Sequence, residues 1–172
     1  LIGVIGPNGS GKSTLLRLMA GILKPQTGSV MLDGNPVDRM RRDAVARRIS
    51  FLPQIVQPAF AFTCEEIVAQ GRFPHLGAFG FLSPRDLQVV RQCMEWTDTL
   101  EFAERPLDEC SGGERQRVLL ASVLAQGADY LLLDEPTTAL DVHHQAEVFL
   151  QLKKFAHSGL AVVVVVHDLN LA

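Results

Sequence analysis

The sequence predicts an α/β fold: a parallel central sheet flanked by helices, with a smaller helical lobe inserted into it. Three observations carry this. An apolar run at residues 1–5 passes through a glycine-rich loop into an amphipathic run at 15–23, a strand-loop-helix unit. Apolar runs at 130–133 and 160–166 flank a stretch of helical spacing, and such strands, joined through a helix, imply parallel crossovers buried on both faces. Between these units, from about residue 56 to 110, the chain becomes irregular and aromatic. A length of 172 residues suits one domain with room for such a lobe.

The glycine loop is Gly6-Pro7-Asn8-Gly9-Ser10-Gly11-Lys12-Ser13-Thr14, which fits G-x-x-x-x-G-K-(S or T) in the setting that motif requires. Gly6, Gly9 and Gly11 permit positive φ and turn N–H groups inward, forming a nest for a triphosphate at a helix N-terminus. Lys12 is expected to reach the β- and γ-phosphates, the Ser13 hydroxyl to ligate Mg²⁺, and Thr14 to add a phosphate contact. The helix is expected over 12–23, with Leu15, Leu16, Leu18, Met19 and Ile22 packed on the sheet and Lys24-Pro25 as its stop. A strand at 30–33 and a turn at Gly34-Asn35-Pro36 follow. Residues 37–47 read as a short basic helix, and the patch Arg39, Arg41, Arg42, Arg47 and Arg48 reads as a solvated face, with a phosphate or partner contact as the alternative. A strand at 49–52 ends at Pro53 and leaves Gln54 at a loop entrance.

In the lobe, Pro58, Phe60, Phe62, Phe73, Pro74, Phe79 and Phe81 form an aromatic stretch that reads as core, with a ligand cage as the alternative, interrupted by an amphipathic helix at 64–70. Ser83-Pro84-Arg85-Asp86 starts a helix, with Ser83 as N-cap and Leu87, Val90, Met94 and Trp96 on its buried side. The nucleotide-fold pattern then returns over 111–172. It has a helix at 114–126 closed by Gly127, a strand ending in Asp134-Glu135-Pro136, and a helix capped by Asp141. That last helix is expected to bury Val142, Ala146, Phe149 and Leu150 and to end at Gly159. Both ends of the sequence read as cut, so the natural chain is expected to be longer.

Composition excludes several classes. Sixteen Lys and Arg against 19 Asp and Glu give a net charge of −3, unlike a protein that coats nucleic acid. Cys64, Cys93 and Cys110 contain no C-x-x-C pair, which argues against a disulfide framework or zinc site and for a reducing compartment. The longest apolar run, 160–166, falls short of the ~20 residues that span a bilayer.

Asp134 and Glu135 stand at the carboxyl end of an apolar strand, the edge where open α/β sheets bind ligands. With Lys12 upstream, Asp134 is expected to hold Mg²⁺ and Glu135 to polarise an attacking water. Ser111-Gly112-Gly113-Glu114-Arg115-Gln116 reads either as a second anion site or as an ordinary glycine-rich helix start.

Together these motifs resemble the ATPase subunits of ATP-binding cassette (ABC) transporters, whose core is a phosphate-loop NTPase fold. The resemblance covers essentially the whole chain. Gly6 to Thr14 is similar to the family's Walker A loop, Gln54 to its Q-loop glutamine, and Ser111 to Gln116 to its signature motif. Leu131 to Glu135 is similar to Walker B, Ala139-Leu140-Asp141 to the D-loop, and His167 to the switch histidine. Cys110 stands where the family usually has Leu, and Thr138 where Ser is common.

The resemblance implies a head-to-tail homodimer with two ATP molecules between the subunits. Ser111, Gly112 and Gly113 of one copy would cover the γ-phosphate held by Lys12 of the other. It implies Glu135 as base, His167 on the γ-phosphate, and Gln54 joining Mg²⁺ to the helical lobe at 56–110. The aromatic residue that stacks on adenine would lie upstream of Leu1. Gly71-Arg72-Phe73-Pro74-His75-Leu76-Gly77, Pro136-Thr137-Thr138 and His167-Asp168-Leu169-Asn170 resemble importers of ferric siderophores, haem and cobalamin. Such an ATPase sits peripherally on the cytoplasmic face of the membrane, docks on permease subunits and serves a substrate-binding protein. The alternatives are a soluble ABC ATPase acting on DNA or ribosomes, or the ATPase of another transporter class.

Overall fold

The computed structural model describes residues 1–54, 61–77, 80–138 and 140–166, apart from the side chains of residues 142 and 143. The chain runs β1 (Ile2–Ile5), α1 (Lys12–Met19), β2 (Met31–Leu32), β3 (Asn35–Pro36), α2 (Arg42–Ala46), β4 (Ile49–Leu52) and α3 (Cys64–Gln70). It continues through α4 (Pro84–Trp96), α5 (Gly112–Ala125), β5 (Tyr130–Asp134), α6 (Val142–His157) and β6 (Ala161–Val166). Among the described residues, four strands form a parallel sheet in the order β1-β6-β5-β4. Ile5 lies opposite Val166, Asp134 opposite Val165 and Leu52 opposite Leu133, so all four carboxyl ends share one edge.

Alternation along the two central strands makes two cores. Leu131, Leu133, Val162, Val164 and Val166 face α5, α6 and the lobe helices. Leu132 and Val165 face the opposite way, onto Leu16 of α1. Full burial of such side chains is worth about 2 kcal/mol each, which makes the β5-β6 pair the rigid base of the ligand edge. Among the described residues β1 is an edge strand, and Ile2 on it is 61% exposed.

Local geometry departs from expectation where tertiary anchors outweigh pattern. Helix α1 stops at Met19, because the chain turns at Gly21 (φ 68°) with a backbone approach that leaves room only for hydrogen beside Val37. The strand at 30–33 is half of a hairpin: Met31 pairs with Pro36 across a two-residue turn in which Asp33 and Gly34 have φ of 49° and 80°. The basic helix at 37–47 is broken at Met40 and Arg41, which are extended, because Val37 and Val45 are separate buried anchors. Its arginines do more than face solvent. Arg48 pairs with Asp33 and Asp129, Arg42 donates to the Gly21 carbonyl, and Arg47 donates to the Pro74 carbonyl at 2.9 Å.

Helices α3 and α4 pack on α5 through Cys64, Val68, Val90, Cys93 and Met94 against Val118, Ala121 and Ala125. The seam is tight: a Cβ at Gly71 would lie 2.1 Å from the Ser122 carbonyl. Arg72 then pairs with Asp86 at 2.9 Å and donates to the Ala125 carbonyl at 2.7 Å, and His75 Nε2 lies 2.7 Å from the Gln126 carbonyl. The stretch that resembles importers is thus mostly a seam inside the protein, with Phe73 facing out.

Expectations for the apolar faces need correction. Leu87 and Trp96 are exposed, since Asp86, Val90, Cys93 and Met94 define the inner face of α4, and Trp96 lies against Phe155 at 5.9 Å between centroids. In α6 the buried face is Val148, Phe149 and Leu152, while Ala146 and Leu150 face solvent. Of the lobe aromatics, Phe62 packs on the core and Phe73 and Phe81 are exposed; Pro58, Phe60 and Phe79 lie outside the described residues.

Candidate nucleotide site

The site begins with a helix whose first turn is uncapped. The N-cap of α1 is Gly11 at φ 93°, in a left-handed conformation that favours glycine, and no side chain accepts from the turn. Gly9 also has positive φ, and Ser10 N–H closes a tight turn onto the Pro7 carbonyl at 3.2 Å. Gly6 is closely approached, since a Cβ there would sit 2.9 Å from Ser10 Oγ. Lys12 folds back along this loop and is mostly buried, with Nζ donating to the Gly6 carbonyl at 2.8 Å and the Pro7 carbonyl at 3.1 Å. Its ammonium is thereby held within the loop.

The carboxylates of β5 arrive from the neighbouring part of the same edge. Ser13 Oγ donates to Asp134 Oδ1 at 3.0 Å. Asp134 is only 1% exposed, and its Oδ2 has no hydrogen-bond partner among the described residues. A buried carboxylate oxygen without a donor is costly, and a cation relieves that cost. Gln54 follows β4 onto this edge, and its Nε2 donates to Glu135 Oε2 at 2.8 Å. Thr138 Oγ1 donates to the same Oε2 at 3.2 Å and to the Glu135 carbonyl at 3.1 Å.

Glu135 itself has φ 53°, strained for a residue with a Cβ, which turns its side chain out of the strand direction and over the loop. Asn8, Gly9, Gly11, Lys12, Ser13, Thr14, Gln54, Glu135 and Thr138 line one cavity of about 580 Å³. Sequence reasoning missed Thr138 as a partner of Glu135. The signal available was a hydroxyl three residues on, across the Pro136 turn.

Ser111, Gly112 and Gly113 stand elsewhere. Ser111 caps α5: its Oγ accepts from Glu114 N–H at 3.3 Å, and Glu114 Oε2 accepts from Ser111 N–H at 2.8 Å. The hydrogen bond from the Ser111 backbone holds the Glu114 carboxyl below its usual range, with Arg105 adding to the effect. Ser111 and Gly113 line a separate cavity of about 340 Å³ with Glu114, Arg117, Leu140, Asp141 and His144. Neither residue reaches the cavity around Lys12 within this chain. His167, like Ala139, lies outside the described residues.

A glycine loop, a buried lysine and two strand-end carboxylates on a parallel sheet define a nucleotide-binding protein of the phosphate-loop class. The chain belongs to the ABC transporter family, whose profile matches residues 1–138. It is 43% identical over 170 residues to the iron(3+)-hydroxamate import ATP-binding protein of Bacillus subtilis, covering 98% of this chain and 63% of the relative. The cobalamin import ATP-binding protein of Halobacterium salinarum is 47% identical over 173 residues, 100% of this chain and 43% of the relative. The hemin import ATP-binding protein of Pseudomonas entomophila is 45% identical over 177 residues, with 100% and 68% covered. The chain thus spans less than two thirds of the first two of these relatives.

Solved structures agree on the fold. An ABC transporter described as metal-chelate type, in an inward-facing conformation, superposes with a TM-score of 0.85 at 34% identity, over 99% of this chain and 64% of that one. An ATP-binding cassette captured as a dimer after hydrolysis, with ADP and phosphate, gives a TM-score of 0.85 at 31% identity over 100% and 76%. Among the described residues, no helix is long and apolar enough to cross a membrane.

Proposed function

We propose that this protein is the ATP-hydrolysing subunit of an ABC importer, powering uptake of a ferric siderophore, haem or cobalamin through a separate membrane permease. The observation that carries the chemistry is the single cavity in which Lys12, Ser13, Gln54 and Glu135 converge. The names of the relatives, which are importers of iron-hydroxamate, cobalamin and hemin, support the substrate class.

In this reading the open N–H groups of the loop and of α1 receive the phosphates, and Lys12 exchanges its loop carbonyls for β- and γ-phosphate oxygens. Ser13 Oγ and the unpartnered Asp134 Oδ2 suit a hard cation, so these residues would hold Mg²⁺, with Gln54 adjacent. Bound there, Mg²⁺ supplies charge neutralisation on the phosphates. Glu135 accepts the proton of the attacking water, and Gln54 and Thr138 fix its carboxylate by donating to one oxygen and leaving the other available. His167 contacts the γ-phosphate.

The signature residues Ser111, Gly112 and Gly113 complete the site of a second copy in a head-to-tail homodimer. Their separate cavity and the dimeric cassette among the similar structures support this. The helical segment 56–110 is the lobe that meets the permease, with exposed Phe73 and Phe81 on its surface. The protein then sits on the cytoplasmic face of the membrane and serves a substrate-binding protein in the same system.

The test is uptake of labelled ferric siderophore, haem and cobalamin in host cells whose only copy of the protein carries Glu135→Gln. Loss of one ligand's uptake is expected. Survival of all three, with the variant present and stable, would overturn the importer reading.

A further inference from the structure

We propose that Cys64 and Cys110 are a covalent modification site: a peroxide converts the pair to an intramolecular disulfide that ties the start of α3 to the residue before Ser111. The two sulfurs lie 3.4 Å apart, although the residues are 46 positions apart in sequence. Both side chains are buried, Cys64 at 0% and Cys110 at 8% exposure. The backbone around them is stitched into one frame. Cys64 N–H donates to the Arg105 carbonyl at 2.9 Å, Glu65 N–H to the Ala103 carbonyl at 2.9 Å, and Leu107 N–H to the Phe62 carbonyl at 2.9 Å. The sulfurs therefore meet because the fold holds them there, and bonding distance, ~2.05 Å, is about 1.4 Å nearer.

The positions suit distinct roles. Cys110 lies just beneath the surface between exposed Glu109 and Ser111, so an oxidant reaches its sulfur first. Burial, with the neighbouring Cys110 thiol adding to it, pushes the Cys64 thiol up to about 12. Cys64 thus remains a thiol until its neighbour becomes electrophilic. In the first step the Cys110 sulfur attacks the peroxide, the O–O bond breaks, and a sulfenic acid and one water form. In the second the Cys64 sulfur attacks Cys110 Sγ, the S–S bond forms, the S–O bond breaks, and hydroxide leaves with the Cys64 proton as water. Two thiols and one hydrogen peroxide give one disulfide and two waters. Leucine at position 110, the usual residue of the family that this chain resembles, would fill the space without this chemistry. Cys93 is a natural control, a buried free thiol likewise pushed up to about 12.

Closing the pair draws Cys110 toward α3 and shifts the Ser111 cap next to it. The consequence for catalysis rests on the proposed role of Ser111, and the chemical test does not. The purified protein is treated with hydrogen peroxide, its remaining thiols are alkylated, and it is cleaved after glutamate. Glu95, Glu101, Glu104 and Glu109 then separate Cys93 from Cys110. A Cys64–Cys110 peptide lighter by two hydrogens, abolished by Cys110→Leu and retained in Cys93→Ser, is expected. Free Cys64 and Cys110 after treatment, or links to Cys93 or between molecules in their place, would overturn the proposal; this reading uses wild-type protein and survives a variant that fails to fold. ATP turnover of the same oxidised sample is expected to fall on the order of 10²-fold, as when a positioning group moves by about 1 Å, and to return with dithiothreitol. A mapped disulfide with unchanged turnover would overturn the coupling to Ser111 alone.

Discussion

The start of α1, at the phosphate loop, is built in the opposite way from the other long helix starts, those of the lobe and of the rest of the core. In and beside the lobe, α3, α4 and α5 each begin with a capping box, Thr63 with Glu66, Ser83 with Asp86, and Ser111 with Glu114. In the core, Asp141 caps α6 by accepting from His144 N–H, whereas α1 begins at Gly11 with no side-chain cap among the described residues. A capped start satisfies its own donors and stabilises the protein by about 1 kcal/mol. An uncapped start beside a buried lysine keeps its donors for an anion. Polar groups in the lobe serve architecture, and those of the core edge are held ready for a ligand.

The largest effects should follow from breaking the core side. Glu135→Gln keeps the hydrogen-bonding shape and removes the proposed base, so ATP hydrolysis should fall roughly 10²- to 10⁴-fold while an ATP-bound dimer accumulates. Steady-state turnover and size-exclusion chromatography with ATP check this; turnover near wild type would remove Glu135 from the role of base. Lys12→Ala should weaken nucleotide binding itself, and equal ATP affinity by calorimetry would contradict the phosphate-loop reading.

Next comes the lobe, where damage should appear as lost stability. Asp86 is held down to about 2 from 3.8, first by the Ser83 hydroxyl and then by the Ser83 backbone and Arg72. A depressed carboxylate contributes stability that is complete above its unfolded value near 3.8 and is lost as pH falls through about 2. Both partners of the Arg72–Asp86 pair have side chains only 11% exposed, so Asp86→Asn, which leaves Arg72 short of its counterion, should cost about 3 kcal/mol near neutral pH. Urea denaturation at pH 7 and at pH 2.5 measures this. The gap between wild type and Asp86→Asn should narrow at the lower pH, and a gap that did not would place the stabilisation elsewhere.

A smaller effect separates two hydroxyls at the core edge. Thr138→Val removes one of two donors to Glu135 Oε2 and should lower kcat about tenfold with KM for ATP little changed, while Thr138→Ser restores it. A parallel rise in KM would mark Thr138 as a binding residue instead.

The strands, the phosphate loop, the Ser83 cap and the strand-end carboxylates were legible because each is a local pattern, an apolar run, a glycine spacing or a cap followed by periodicity. What was not legible depends on which surface meets which. The inner face of α4 includes Asp86, a charged residue that pattern assigns to solvent, because Arg72 arrives from another segment to pair with it. The basic stretch around Arg48 looked solvated because Asp33 and Asp129, which neutralise it, come from a hairpin turn and a distant loop. Thr138 was read only as a departure from a motif, since its bond to Glu135 exists only once Glu135 adopts a left-handed backbone.

The smallest expected difference tests whether Ser111 serves only as a helix cap. Thr63→Ala and Ser111→Ala each delete one capping acceptor, from Glu66 N–H in the first and Glu114 N–H in the second. As caps they are equivalent, and each substitution should cost about 1 kcal/mol in urea denaturation. Ser111 and Gly113 also line a cavity of their own, in which a second copy of the proposed dimer can present a phosphate. Hydrolysis per folded molecule should therefore survive Thr63→Ala and fall in Ser111→Ala, with loss of any cooperative dependence on ATP. Equal turnover in the two variants would make Ser111 a cap like the others, and the contrast between α1 and the capped helices would then hold without the second anion site.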